Sequence, residues 1–206
     1  MVATTVALAV VGGVIFGISS IVQFRCGRSG CRSGLAGRFD VEAVGGFPRL
    51  FTTAVFLLVA VVAVSASRTA GRDRTWWVGV AVAGGLLAVA KIGSAHSAFE
   101  SSDGRTLTLV VSLALSGAGI WLLAAGARRW GVPGARPVIV ALVAYTVAAL
   151  GLDALTAVVE AVQAHTGLRS RTTLAFVEEF GEALAALALL ASVRSARLCG
   201  LAEAQS

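Results

Sequence analysis

"LAFVEEFGEALAALALLA", residues 174–191, decides the class of this protein. Apart from Gly181 and the three glutamates Glu178, Glu179 and Glu182, every residue in it is apolar. A helix of ~20 such residues crosses the hydrocarbon core of a bilayer. An isolated charge at that depth costs at least ~3 kcal/mol, so the carboxylates must face other helices rather than lipid. The stretch therefore predicts one helix of a multi-helix membrane bundle.

The rest of the chain agrees. Of 206 residues, 57% are hydrophobic and 14% charged, far from the balance of a soluble domain. Six stretches are apolar enough to be spans, near 2–24, 49–67, 76–98, 106–127, 137–160 and 173–193. The first has no Lys or Arg ahead of it and no small-residue cleavage pattern after it, so it reads as a mature span rather than a signal peptide. No repeat and no Ser/Pro-rich linker divides the chain, which predicts one integral membrane domain over 1–206. Short connections imply antiparallel neighbours. The expected fold is all-α: a six-helix, up-and-down transmembrane bundle.

One long connection, "FRCGRSGCRSGLAGRFDVEAVGGFP" (24–48), separates spans 1 and 2, and Pro48 suits the first turn of the helix that follows. Arg68, Arg72, Arg74, Arg128, Arg129, Arg136, Arg194 and Arg197 belong to loops 2 and 4 and the tail. Loops 1, 3 and 5 also hold eight arginines, but five of these lie in the long first loop. Setting that loop aside, arginine favours both termini on the cytoplasmic side of the cell membrane. Trp76, Trp77 and Trp130 fall at the loop 2/4 end, where an interfacial aromatic belt would sit. With loop 1 outside, Cys26 and Cys31 could close a small disulfide loop.

The acids are distributed unevenly. Only Asp73 and Glu203 lie toward loops 2 and 4 and the tail. Asp40, Glu42, Glu100, Asp103, Asp153, Glu160, Glu178, Glu179 and Glu182 lie toward the other end, with His96 and His165. Counting ~1.5 Å per residue from each basic or Trp-marked end puts Lys91, Asp153, Glu178 and Glu182 in one layer inside the hydrocarbon. Asp153 and Glu160 share one helical stripe; Glu178 and Glu182, four apart, share another. Lys91 is the only lysine and cannot neutralise four carboxylates. The rest must be protonated, reach water or hold a cation. Lys91 itself should pair with Asp153 or Glu182. The intramembrane pocket expected here comprises Lys91, His96, Asp153, Glu160, Glu178, Glu179 and Glu182, with Asp40, Glu42 and Glu100 in loops beside it.

"FDVEAVGGFPRLF", "AKIGSAHSAFE", "LGLDALTAVVEA" and "FVEEFGEALAALALLA" together resemble a group of uncharacterised bacterial multi-pass membrane proteins, over residues 38 to 193. In that group an acidic segment precedes span 2, a middle helix carries a His, and the final helix opens on paired glutamates. His96 matches the middle-helix His, and Glu178 and Glu179 match the pair. Ala90 and Lys91 stand where an acidic pair would precede that His, and Ser97 where a Glu would follow it. The resemblance implies a multi-pass fold and a membrane location, and brings no activity.

Three functional readings follow from the residues. Intramembrane carboxylates beside a lysine are what proton relays and cation pathways use, which points to transport or sensing of a proton or small cation. The same charges in a structural or accessory protein would only fix helix packing. His96, Glu160, His165 and Glu178 offer a metal ion imidazole and carboxylate ligands, but no H-E-x-x-H, H-x-x-x-H or E-x-x-H pattern joins them. A metal-dependent membrane hydrolase built on Ser94, His96, Asp103 and Asp153 ranks third, because two histidines fall short of a three-His site. No cofactor is implied. The bilayer is the expected environment, with loop arginines as interfacial anchors. No basic–aromatic interleaving suggests nucleic acid, and nothing in the sequence names a protein partner.

Overall fold

The computed structural model describes residues 2–26, 34–41, 43, 45–92, 105–151 and 168–203. It contains six long helices: α1 (Val2–Cys26), α3 (Phe47–Thr69), α4 (Arg74–Ile92), α5 (Arg105–Trp130), α6 (Ala135–Thr146) and α7 (Leu168–Glu203). A single helical turn, α2 (Leu35–Arg38), precedes α3, and α6 runs on into one π-helical turn, Val147–Gly151. There is no strand among the described residues. The chain is an all-α helical bundle.

Helices α3 and α4 pack most extensively; α4 also touches α5, α5 touches α6, and α6 packs on α7, which returns against α1 and α3. Consecutive helices are neighbours because their connections are short, as in residues 70–73 and 131–134. Glycines set two of the close approaches. A Cβ on Gly84 of α4 would lie 3.1 Å from Ala60 N and 3.2 Å from Phe56 O of α3, so the two backbones nearly touch. Gly134, at φ 68°, folds the α5–α6 turn onto α7, where its Cβ would lie 2.8 Å from Ala196 Cα.

The outer surface is unlike a soluble protein's. Val10, Val61, Leu86, Val110, Leu115 and Trp121 stand outward and exposed, while the interior mixes Phe16, Phe56, Trp76 and Leu189 with Ala63, Ala88, Ala183, Ala186, Thr52 and Glu182. Large apolar surface outside, with small and polar residues admitted to the interior, is the pattern of helices solvated by lipid. Segments of α1, α3, α4 and α5 are long and apolar enough to cross a membrane, and Ala135–Gly151 is a shorter apolar helix. With its 36 residues α7 measures ~54 Å, longer than the ~30 Å core, but it carries Glu178, Glu179, Glu182, Arg194 and Arg197. The protein is membrane-integral.

Two expectations change. Span 2 begins two residues earlier than the sequence suggests, at Phe47, because Gly46 caps the helix in extended geometry and Pro48 sits in its first turn. Arg49, assigned to loop 1 by its sequence, is thus a helix residue. The aromatic belt at the loop 2/4 end is also largely absent. Trp76 and Trp77 are 1% and 3% exposed, packed edge to face at 5.0 Å. Their N–H groups found acceptors inside the protein: Trp76 Nε1 donates to Leu123 O at 3.0 Å and Trp77 Nε1 to Asp73 Oδ2 at 3.1 Å. An indole with an internal partner has no need of the interface.

Candidate functional site

Four helices bring charged or hydroxyl side chains to one place. Glu179 and Glu182, three residues apart on α7, project from the same face and converge on a single ammonium. Lys91, in the last described turn of α4, places Nζ 2.6 Å from Glu182 Oε2 and 2.8 Å from Glu179 Oε2. Arg49, in the first turn of α3, places Nη2 3.5 Å from Glu179 Oε1. From α6 the Tyr145 hydroxyl donates to Glu182 Oε2 at 3.4 Å, its ring held edge to face with Phe56 at 4.8 Å.

The cluster is dry on most sides. The side chains of Lys91 and Glu179 are each 10% exposed and that of Glu182 6%. On the side facing α1, Phe16 meets Phe176 and Phe180 at 6.1 and 5.4 Å. Lys91 lies seventeen residues beyond Arg74, ~25 Å along the helix. With the charged Arg74 at one edge of a ~30 Å core, the backbone of Lys91 sits ~5 Å inside the other. At that depth the attraction between the charges is strong, and so is the cost of separating them.

The bonding is uneven within the cluster. Lys91 donates a well-directed hydrogen bond to Glu182. Glu179 Oε2 is held by the same ammonium as an ion pair at 2.8 Å. Thr53, one turn past Arg49 and 3% exposed, leaves Oγ1 without a hydrogen-bond partner among the described residues. Its neighbour Thr52 satisfies its own hydroxyl on Pro48 O at 3.2 Å. The antiparallel register fixed by Gly84 against Phe56 and Ala60 puts Thr53 about level with Ala88, within a turn of Lys91. Buried oxygens in this condition ordinarily take a water or an ion.

Of the seven residues assigned to the pocket from sequence, Lys91, Glu179 and Glu182 meet. Glu178 is partly buried one position earlier and within electrostatic reach of Tyr145. The pair gripping Lys91 is Glu179 with Glu182, not the Glu178–Glu182 stripe that i, i+4 spacing suggests. The rotation of α7 decides this: Glu179, Ala183, Ala186, Leu190 and Val193 are all buried, at alternating spacings of four and three. That seam carries Glu179. His96, Asp153 and Glu160 lie outside the described residues, as do His165, Glu42, Glu100 and Cys31. The Cys26 side chain and Cys31 also lie outside them, and with them the Cys26–Cys31 pairing. Asp40 is partly buried in the turn before α3, where its carbonyl accepts from Ala43 N–H at 3.3 Å. Among the described residues no three of His, Cys, Asp and Glu stand close enough to hold a metal, and both histidines lie outside them.

Sequence reasoning missed Arg49 and Tyr145. For Arg49 the signal was its place directly after Pro48, a first-turn position that points back along α3. Tyr145 is the only tyrosine in the chain and the one hydroxyl-bearing ring in an otherwise apolar run. Comparison with protein families, with curated proteins and with solved structures finds no match, so this geometry alone carries the functional reading.

Proposed function

We propose that this membrane protein binds a proton or a small cation at the Lys91–Glu179–Glu182 cluster, in the service of transport or sensing. The observation that carries the reading is one buried ammonium shared by two buried carboxylates at 2.6 and 2.8 Å. Lys91 acts there as a tethered cation. A proton taken up by one carboxyl, or a free cation entering beside Glu179 Oε2, competes with the ammonium for the same oxygens. Either event releases Lys91 from α7 and loosens the junction of α3, α4, α6 and α7. Thr53 Oγ1, which has no hydrogen-bond partner among the described residues, is a further oxygen such a ligand would use. Tyr145, on Glu182, is placed to pass a proton.

A second reading has its own support. Arg49 and Lys91 balance Glu179 and Glu182 one for one, as expected of an ionic lock that only fixes helix packing. Reconstitution separates the two. In proteoliposomes on a solid-supported membrane, a jump in pH or in Na⁺ or K⁺ concentration should displace charge through the wild type and not through Lys91→Met/Glu182→Gln. A silent wild type whose stability nevertheless depends on Lys91 would establish the lock instead. Both termini are proposed to be cytoplasmic, on the strength of the arginines in loops 2 and 4 and the tail.

A further inference from the structure

The arginines at the opposite end of the bundle differ from those at the cluster. Where Arg49 is spent on Glu179, none of the eight arginines of loops 2 and 4 and the tail makes a salt bridge among the described residues. Asp73, one of two acids at that end, is taken by the Trp77 indole. Several of these arginines gather around one feature, the α5–α6 turn. Arg128 and Arg129 close α5 and Arg136 opens α6, all three exposed. Gly134 seats the turn on Ala196, beside Arg197, whose buried Nε has no partner among the described residues. One turn earlier Arg194 donates to the Thr5 hydroxyl of α1, at 3.3 Å.

We infer that this turn is a docking site for the phosphate headgroups of anionic phospholipids. Several guanidinium groups in one place, without an ion pair among the described residues, favour an anion, and their planar forks match phosphate oxygens two at a time. The surface next to them says which anion. Val140 of α6 and Leu122 of α5 are exposed apolar side chains one or two turns from the arginines, on the bundle side of them. A ligand that puts phosphate on the arginines and hydrocarbon along those faces is a lipid of the surrounding leaflet. Half-buried Trp130, its ring stacked over Gly126, supplies the amphipathic edge between headgroup and chain.

The test uses the full chain in detergent with an equal mixture of phosphatidylglycerol and phosphatidylcholine, read by native mass spectrometry. Phosphatidylglycerol should be retained in clear excess. Arg128→Gln/Arg129→Gln should cut that excess by roughly five-fold for each arginine removed. Arg25→Gln/Arg38→Gln, an equal loss of charge at the other end, should leave it intact. Equal retention of the two lipids, or an equal effect of the two double variants, would overturn the inference. So would loss of the preference on adding millimolar inorganic phosphate, which would mark a site for the free anion. Were the first variant to melt early, Arg136→Gln, also at an exposed position, would serve in its place with the same expectation.

Discussion

Removing the Lys91 ammonium should expose how much of the bundle's stability rests on one charge. In Lys91→Met the carboxylates of Glu179 and Glu182 face each other without the ammonium between them, while Arg49 stays 3.5 Å from Glu179 and the Tyr145 hydroxyl stays on Glu182. Breaking a buried pair in this way typically costs ~3–5 kcal/mol. A second route gives the same size: relieving the repulsion by putting a proton on one ordinary carboxyl at pH 7 costs ~3.7 kcal/mol, from a reference value of ~4.3. For a chain of this length such a loss lowers the melting temperature by roughly 6–20 °C. The sign with pH follows from the extra proton held by the folded variant. Its folded state binds more protons than its unfolded state, so its deficit should shrink by ~1.4 kcal/mol per unit as pH falls from 7 toward 5. Adding Glu182→Gln should restore most of the loss at pH 7 and little at pH 5. The assay is a detergent melting scan followed by tryptophan fluorescence, to which buried Trp76 and Trp77 contribute. Additive losses in the double variant, or a deficit that ignores pH, would refute the shared ionic pair.

Other expectations are simpler. Tyr145→Phe keeps the ring against Phe56 and loses one long hydrogen bond, so stability should fall by only ~0.5–1.5 kcal/mol while any proton-driven charge displacement slows. Gly134→Ala must strain a positive φ and meet Ala196 Cα, whereas Gly131→Ala at φ 64° has open space around it. The first should therefore cost ~1–3 kcal/mol more than the second in the same melting scan. Cys199 is exposed near the end of α7. With the termini cytoplasmic, a membrane-impermeant maleimide should leave it unlabelled in intact cells and label it after permeabilisation; labelling in intact cells would invert the orientation.

The helices were largely legible in the sequence because lipid imposes a coarse rule, about twenty apolar residues per crossing, that leaves few alternatives. The presence of Lys91 and the glutamates in the bundle interior was legible for the same reason, since charge cannot face the acyl chains. Pairing was harder to read. Whether Glu178 or Glu179 joins Glu182 depends on the rotation of α7, which the buried run Ala183, Ala186, Leu190 and Val193 sets. Arg49 read as a loop residue because loop composition runs up to Pro48, yet that proline starts the helix early and aims the arginine at Glu179. Trp76 and Trp77 occur where interfacial tryptophans usually do. Only the tertiary contacts with Leu123 and Asp73 reveal that they point inward.

Infrared difference spectra of the reconstituted protein, recorded as the bath is stepped from neutral to acidic pH, test most directly whether the cluster takes up a ligand. The wild type should gain a carboxylic-acid carbonyl band as a carboxylate band is lost, and the pair should be altered in both Glu179→Gln and Glu182→Gln and shifted to higher pH in Lys91→Met. A spectrum with no carboxyl change, or one unaltered by either glutamine, would contradict proton binding between Lys91 and the two glutamates.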